Sequence, residues 1–201
     1  MRGRPRDPGN DAAILQAALD IFIEGGVEGT SIEQVARRAG VARLTVYRRW
    51  ATKEELIAQA IEFGRDGFMN PADFLQRFTS GEQTLDSMVE LVVQALVDPR
   101  YRQLLGRLAA TSASHPDLMR AYAESYVSPR REMALEVFQV LKENGEIPEH
   151  FDLGLFTELV AGMSMYITVL AMPPRSPAEI REFLHRLLDM VLSRARTSNP
   201  G

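Results

Sequence analysis

The chain contains no cysteine. Disulfides and thiolate metal sites are therefore excluded, and the composition fits a reducing compartment. Its three histidines, His115, His150 and His185, are scattered without metal-ligand spacing, so neither a metal nor any other cofactor is expected. No nucleophile–base pair and no glycine-rich phosphate loop is present, which argues against an enzyme. Long apolar runs are missing too. The N-terminus, MRGRPRDPGND, lacks a signal-peptide core. The longest uncharged stretch, residues 159–174, contains Gly162 and ends in two prolines. It falls short of the ~20 apolar residues that a membrane span needs. A cytoplasmic protein without membrane contact is expected.

The period-2 alternation of strands is also lacking, and helical spacing punctuated by Gly and Pro dominates. The 201 residues are 45% hydrophobic and 25% charged, the balance of a globular chain. The expected fold is all-α with about nine or ten helices. The first should run from Asn10, as N-cap, to Glu24, ended by Gly25-Gly26. Thr30-Ser31-Ile32-Glu33 is a capping box opening a second helix that stops at Gly40, and a third covers residues 42–50. A further box, Thr52-Lys53-Glu54-Glu55, opens a fourth helix toward Gly64. Residues 64–81 read as a loop or broken helix. Helices are then expected at 82–97, 99–113, 116–127, 129–144, 152–172 and 177–196, with Pro129 kinking or splitting one long helix. The expected organisation is a disordered basic arm at 1–9, a first domain at 10–57, a second at 58–196 and a disordered tail at 197–201.

Charge is unevenly distributed. The net charge is −4, yet residues 1–60 hold nine Lys/Arg against eight Asp/Glu, and the remainder 14 against 19. Arg37, Arg38, Arg43, Arg48, Arg49 and Lys53 fall in a window without a single acid. Two short helices meeting at Ala39-Gly40-Val41 have the layout of a helix-turn-helix, whose second helix enters the major groove. Val46 and Trp50, four apart, face inward. Arg43, Leu44, Thr45, Tyr47 and Arg48 then face outward, offering guanidinium forks for guanine, a hydroxyl, and an aliphatic group for a thymine methyl. Tyr47 and Lys53 are better placed for phosphate, as are backbone N–H groups at the start of the fourth helix.

The stretches "AALDIFIEGGVEGTSIEQVARRAGV" and "TVYRRWATKEEL" give residues 10–57 a close resemblance to the DNA-binding domain of the TetR/AcrR family of transcriptional regulators. The resemblance places Thr45, Tyr47 and Lys53 at DNA-contacting positions and Val46 and Trp50 at core positions. The chain departs from the family pattern at three positions. Ala42 replaces a usual Ser, which removes a side-chain cap; Leu44 replaces a small residue; and Ala51 replaces a frequent Pro. The arm Arg2-Gly3-Arg4-Pro5-Arg6 resembles the core of an AT-hook, with Arg4 the candidate for a minor groove.

For the remainder the resemblance implies a helical domain that dimerises and binds a small molecule. Ser176-Pro177-Ala178-Glu179 combines an N-cap, an N1 proline and an N3 glutamate. Behind it Ile180, Phe183, Leu184, Leu187, Leu188, Val191 and Leu192 form one stripe. Helix 152–172 is apolar nearly all round, which implies burial on both sides. The dimer face expected from these two helices comprises Leu159, Met163, Ile167, Phe183, Leu184, Leu187, Leu188 and Val191. Candidates for the ligand site are Phe63, Met88, Thr111, Met119, Tyr122, Tyr126, Phe138, Met163 and Tyr166, with Met165 and Phe68 also available, and Ser112, His115, Ser125 and Glu158 as polar handles.

The expected function is a homodimeric regulator, a repressor released from a pseudo-palindromic double-stranded operator by a small, mainly apolar effector. An effector-free DNA-binding protein acting architecturally or through a protein partner, and more remotely an enzyme on a helical scaffold, are the alternatives.

Overall fold

The computed structural model describes residues 8–67, 85–143, 151–171 and 173–193, together with 76, 80, 145, 147 and 148. The arm with Arg4, Phe68 and most of the expected loop 64–81, Asn144, His150 and the tail lie outside the described residues, as does the side chain of Val191. The described helices are α1 (Pro8–Gly25), α2 (Ile32–Arg38), α3 (Arg43–Tyr47), α4 (Lys53–Asp66), α5 (Leu85–Val97), α6 (Pro99–Thr111), α7 (Pro116–Tyr122), α8 (Ser128–Glu143), α9 (Leu153–Met165) and α10 (Pro177–Ser193). Two π-helical segments, Ala123–Val127 and Tyr166–Leu170, complete the list. No strand occurs among the described residues.

The helices gather into two compact units, one of residues 1–67 and 107–128, the other of 68–106 and 129–201. The first is larger than the segment 10–57 set out from the sequence, because α4 continues to Asp66 and packs on both α1 and α7. At its centre α1 buries Ile14, Ala17, Ala18, Leu19, Ile21 and Phe22. It begins at Pro8, so Asn10 lies inside the first turn and is not the N-cap; proline's fixed φ suits a helix start. The capping box that opens α2 forms one residue later than expected. Thr30 turns inward and its Oγ1 donates to the Gly26 carbonyl at 2.7 Å. Ser31 therefore becomes the cap, accepting from the Gln34 amide at 3.3 Å, while Gln34 Oε1 accepts from the Ser31 amide at 3.1 Å. The box at Thr52 and Glu55 forms as expected. Gly64 sits where α4 crosses α1: a Cβ there would stand 2.5 Å from Leu19 Cδ2, so the residue serves close approach and does not end the helix.

The rest of the first unit is tied to α1. Arg107, near the end of α6, donates to the carbonyls of Ile23 and Glu24, which belong to the last turn of α1 and lack helical partners. After it come α7 and the first π segment. Pro129 neither splits nor ends the chain's course from α7 into α8. Proline has no N–H and presses on the carbonyl four residues earlier. The helix answers with a wider turn, in which the Ser128 amide bonds to the Ala123 carbonyl five residues back.

In the second unit α5 packs on α10, with Arg181 Nη2 and Glu90 Oε2 2.7 Å apart. Phe138, Leu141, Ile147 and Phe151 form a buried cluster against which Met88, Phe156 and Leu192 pack. Asp152 caps α9 through the Leu155 amide at 3.0 Å. The cap at Ser176 forms as expected, its amide donating to Glu179 Oε2 at 2.7 Å; that bond, foremost, holds the Glu179 carboxyl below its usual range. The expected two-sided burial of helix 152–172 is not found within one chain. Leu155, Leu159, Tyr166, Val169 and Leu170 are exposed, whereas Phe156 packs on the Phe138 cluster and the π segment packs on α5, so the chain's own partners cover only part of this helix.

Candidate nucleic-acid interface

The turn between α2 and α3 is built from backbone constraints. Gly40 adopts φ +69°, in the left-handed region that side chains disfavour. The Val41 amide closes back on the Ala36 carbonyl at 3.0 Å. Ala42 is the N-cap of α3 and supplies no side-chain bond, as its identity implied. The helix is accordingly shorter than the expected 42–50. It spans five residues, with Arg48 as C-cap, and is held by its buried side. Val46 is fully buried, and Trp50 is buried with its Nε1 donating to Gln59 Oε1 at 2.7 Å.

Every outward-facing candidate except Thr45, which is half-buried, is exposed. Leu44 is 60% exposed and Tyr47 43%. Their neighbours are distinguished by pairing. Arg43 Nη1 lies 2.7 Å from Glu33 Oε1 on α2, and its Nη2 donates to the Tyr47 hydroxyl at 2.9 Å, with the guanidinium over the ring. The bond to Tyr47 and the nearby Glu33 raise the Arg43 pKa. Arg38 is held in a bidentate pair with Glu24. Arg49 pairs with Asp11 and donates to the Thr45 carbonyl. Of the arginines in the acid-free window, Arg37 and Arg48 alone have no acid partner among the described residues, and both are exposed.

Lys53 differs from expectation in one respect. Its Nζ donates to the Val27 carbonyl at 3.0 Å, tying the start of α4 to the turn after α1. An ammonium has three protons, so two remain for a phosphate. The backbone amides expected to be open there are partly taken. Glu55 Oε2 accepts from the Ala51 and Thr52 amides, and Thr52 Oγ1 accepts from that of Glu55. Sequence spacing missed Glu33, because its meeting with Arg43 depends on the path of the turn.

The ligand candidates divide between the two units. In the first, Tyr122 and Tyr126 are buried and stacked, ring centroids 5.2 Å apart. Arg65, from the last turn of α4, donates to the Tyr122 hydroxyl at 2.8 Å and places its guanidinium 4.7 Å from the Tyr126 centroid. The sequence reading passed over Arg65. Phe63 and Met119 are half-buried in the same unit. Thr111 is buried and its hydroxyl donates to the Arg107 carbonyl, and that of Ser112 donates to the Ala109 carbonyl, so both hydroxyl protons are taken by carbonyls of α6. His115 engages Glu28 and Ser114. In the second unit Met88 and Phe138 belong to the aromatic core, where Phe138 stacks on Phe151 at 5.5 Å. Met163 and Met165 are half-buried, and Glu158 is exposed. Tyr166 is 51% exposed and lies on the surface with Leu170.

The apolar residues named for a dimer face also divide. Ile167, on the second π segment, and Leu184 and Leu187, on α10, are buried within the chain's own unit, where both elements pack on α5. Leu188 and Met163 are half-buried, whereas Leu159 and Phe183 are exposed, together with Leu155, Tyr166, Val169, Leu170 and Met190. Among the described residues no helix is long and apolar enough to cross a membrane, and no cluster of metal-binding side chains occurs.

Residues 14–60 match the family described as bacterial regulatory proteins, tetR family, and residues 80–191 match a Tetracyclin repressor-like C-terminal domain. The chain is 28% identical over 167 residues to the uncharacterized HTH-type transcriptional regulator YdeS of Bacillus subtilis, covering 82% of this chain and 81% of that protein. It is 33% identical over 93 residues to the HTH-type transcriptional repressor Rv3405c of Mycobacterium tuberculosis, covering 43% and 46%. Among solved structures, a putative tetR-family regulator of Mesorhizobium loti superposes with a TM-score of 0.69 at 23% identity, covering 95% of this chain and 98% of that one. NalD, described as the secondary repressor of the MexAB-OprM multidrug efflux pump in Pseudomonas aeruginosa, gives 0.67 at 22%, covering 94% and 98%.

Proposed function

Since this chain belongs to the tetR family and is a helix-turn-helix transcriptional regulator, we propose that it works in the cytoplasm as a homodimeric repressor of a pseudo-palindromic operator, released by a small, mainly apolar molecule. The observation that carries the reading is the division of α3, with Val46 buried behind it and Leu44, Tyr47 and Arg48 exposed before it. A basic, exposed face on a short helix that follows a tight turn suits the major groove. The 33%-identical Mycobacterium tuberculosis relative is named a repressor, which supports that sign of regulation.

Dimerisation is supported by the exposed apolar side chains of α9, the second π segment and α10, led by Leu170 at 66% exposure. Exposed apolar side chains favour association, and a two-fold dimer would present two copies of α3 to two half-sites. The effector proposal rests on α4. It starts at Lys53, shortly after α3, and its last turn carries Arg65, which rests on Tyr122 and Tyr126. About 20 Å of rigid helix thus joins a DNA-facing end to a buried aromatic pair. An effector acts only through unequal affinity for two arrangements of that helix. The packing of Met88 and Phe138 in a core favours the second reading, an effector-free regulator.

The test is selection of duplexes from a random library by the full chain, followed by sedimentation of the complex. A two-fold symmetric sequence carrying two chains, or a multiple of two, is expected. A single chain on an asymmetric site would overturn the dimeric reading.

A further inference from the structure

We propose that Leu44 and Arg48 form the base-reading pair of α3, Leu44 against a thymine methyl and Arg48 on a guanine about two base pairs away, while Arg43 positions Tyr47 and reads no base. The proposal rests on the docking of α3 in the major groove.

The charges decide the division. A guanidinium reads guanine by placing two N–H groups on O6 and N7. Arg43 has Glu33 Oε1 at 2.7 Å on one nitrogen and the Tyr47 hydroxyl at 2.9 Å on another. Reaching a base would cost it both partners and leave the Glu33 carboxylate facing a polyanion. Keeping them fixes the Tyr47 ring, over which the guanidinium already lies at 5.1 Å. Arg49 is engaged by Asp11 and the Thr45 carbonyl. Arg48 is the arginine of α3 and its caps that has no acid partner among the described residues. Its backbone is still helical, at φ −71° and ψ −16°, so its side chain continues the face of α3.

Leu44 precedes Arg48 by four residues and shares that face. It is an aliphatic side chain, 60% exposed, on a helix whose own packing is supplied by Val46. In the major groove the one aliphatic group on a base edge is the thymine 5-methyl. Four residues of helix rise about 6 Å, against about 3.4 Å per base along a strand. The two targets therefore lie about two base pairs apart.

The experiment uses the full chain and the duplex obtained by selection. Each thymine is replaced in turn by deoxyuridine, which removes only the methyl, and each guanine by 7-deazaguanine, which removes only N7. One thymine per half-site should lose about fourfold in affinity, the worth of one buried aliphatic carbon, and one guanine about two base pairs from it roughly fivefold or more. Leu44→Ala should abolish the first sensitivity and keep the second; Arg48→Ala should do the reverse. Arg43→Ala should weaken binding to every duplex alike and keep both sensitivities. A methyl effect that survives Leu44→Ala, or a guanine effect lost in Arg43→Ala and kept in Arg48→Ala, would overturn the pair while leaving the docking intact. Failure to enrich any sequence would overturn the docking, and the pair with it.

Discussion

Arg107 donates twice to the carbonyl of Ile23, from Nε at 3.1 Å and from Nη2 at 2.8 Å. The same Nη2 reaches the Glu24 carbonyl at 3.0 Å. A single side chain thus satisfies two acceptors in the last turn of α1, where a cation is also favoured by the helix dipole. Arg107→Ala should destabilise the protein by about 1.5–3 kcal/mol, the range for hydrogen bonds to a charged group. Arg107→Lys should recover part of this, since an ammonium lacks the planar fork. Thermal or denaturant unfolding of the three proteins checks the order. Equal stability of all three would refute a capping role.

Two roles are proposed for Lys53, a tie to the Val27 carbonyl and a phosphate contact. Lys53→Ala should weaken binding to all duplexes and reduce the slope of log affinity against log salt by about one per half-site. Loss of the bond to Val27 should also lower stability by about 1 kcal/mol. An unchanged salt slope with reduced stability would leave Lys53 a purely structural tie.

Acid stability should depend on Glu24. Its pKa is lowered below the ordinary 4.5, first by the hydrogen bond from Arg38 and then by its charge. A depressed folded-state value means that the pair stabilises the fold above about 4.5 and ceases to do so as pH falls through the lowered value. Glu24→Gln should therefore be less stable than the parent at neutral pH, and the two unfolding curves should converge in strong acid. The difference should be small, since the pair is exposed and salt-screened. A gap that widens on acidification would contradict the assignment.

The α10 stripe and the α9 surface make opposite forecasts. Leu187→Glu places a charge among buried side chains and should unfold the second unit. Leu155→Glu and Leu170→Glu act at exposed positions and should leave a folded chain that sediments as a monomer. A folded dimer from both of the latter would place the subunit contact elsewhere.

These cases also mark what the sequence could reveal. Local rules succeeded where structure is local. The caps at Thr52 and Ser176, the left-handed turn at Gly40 and the inward pair Val46 and Trp50 each follow from a few adjacent residues. The box at Ser31 slipped by one because Thr30 found a buried partner in Gly26, a tertiary preference that spacing does not encode. Periodicity identified an apolar stripe on α10, and composition an apolar helix at 152–172, but neither told which side meets the chain's own core. Ile167, Leu184 and Leu187 proved internal for that reason. The links from Arg43 to Glu33, Arg65 to Tyr122 and Arg107 to Ile23 join separate elements and were not legible at all.

The effector reading makes the most exposed forecast, and α4 is where it is decided. The far end of α4 rests on Tyr122 and Tyr126 through Arg65, and its near end holds Lys53 shortly after α3. A mainly apolar molecule with one acceptor group would compete for the Tyr stack and the guanidinium together. In a thermal-shift screen such a compound should stabilise the chain by mass action, about 2.7 kcal/mol at a hundredfold excess over its dissociation constant. It should lower affinity for the selected duplex by about 1–3 kcal/mol of coupling. Tyr126→Leu keeps an apolar filling but removes the stack and the cation–π contact, and should weaken the compound without changing DNA affinity in its absence. Compounds that stabilise the parent and Tyr126→Leu equally bind elsewhere. Compounds that stabilise the parent and leave its DNA affinity untouched would show that α4 transmits nothing, and the effector-free regulator would then be the reading that stands.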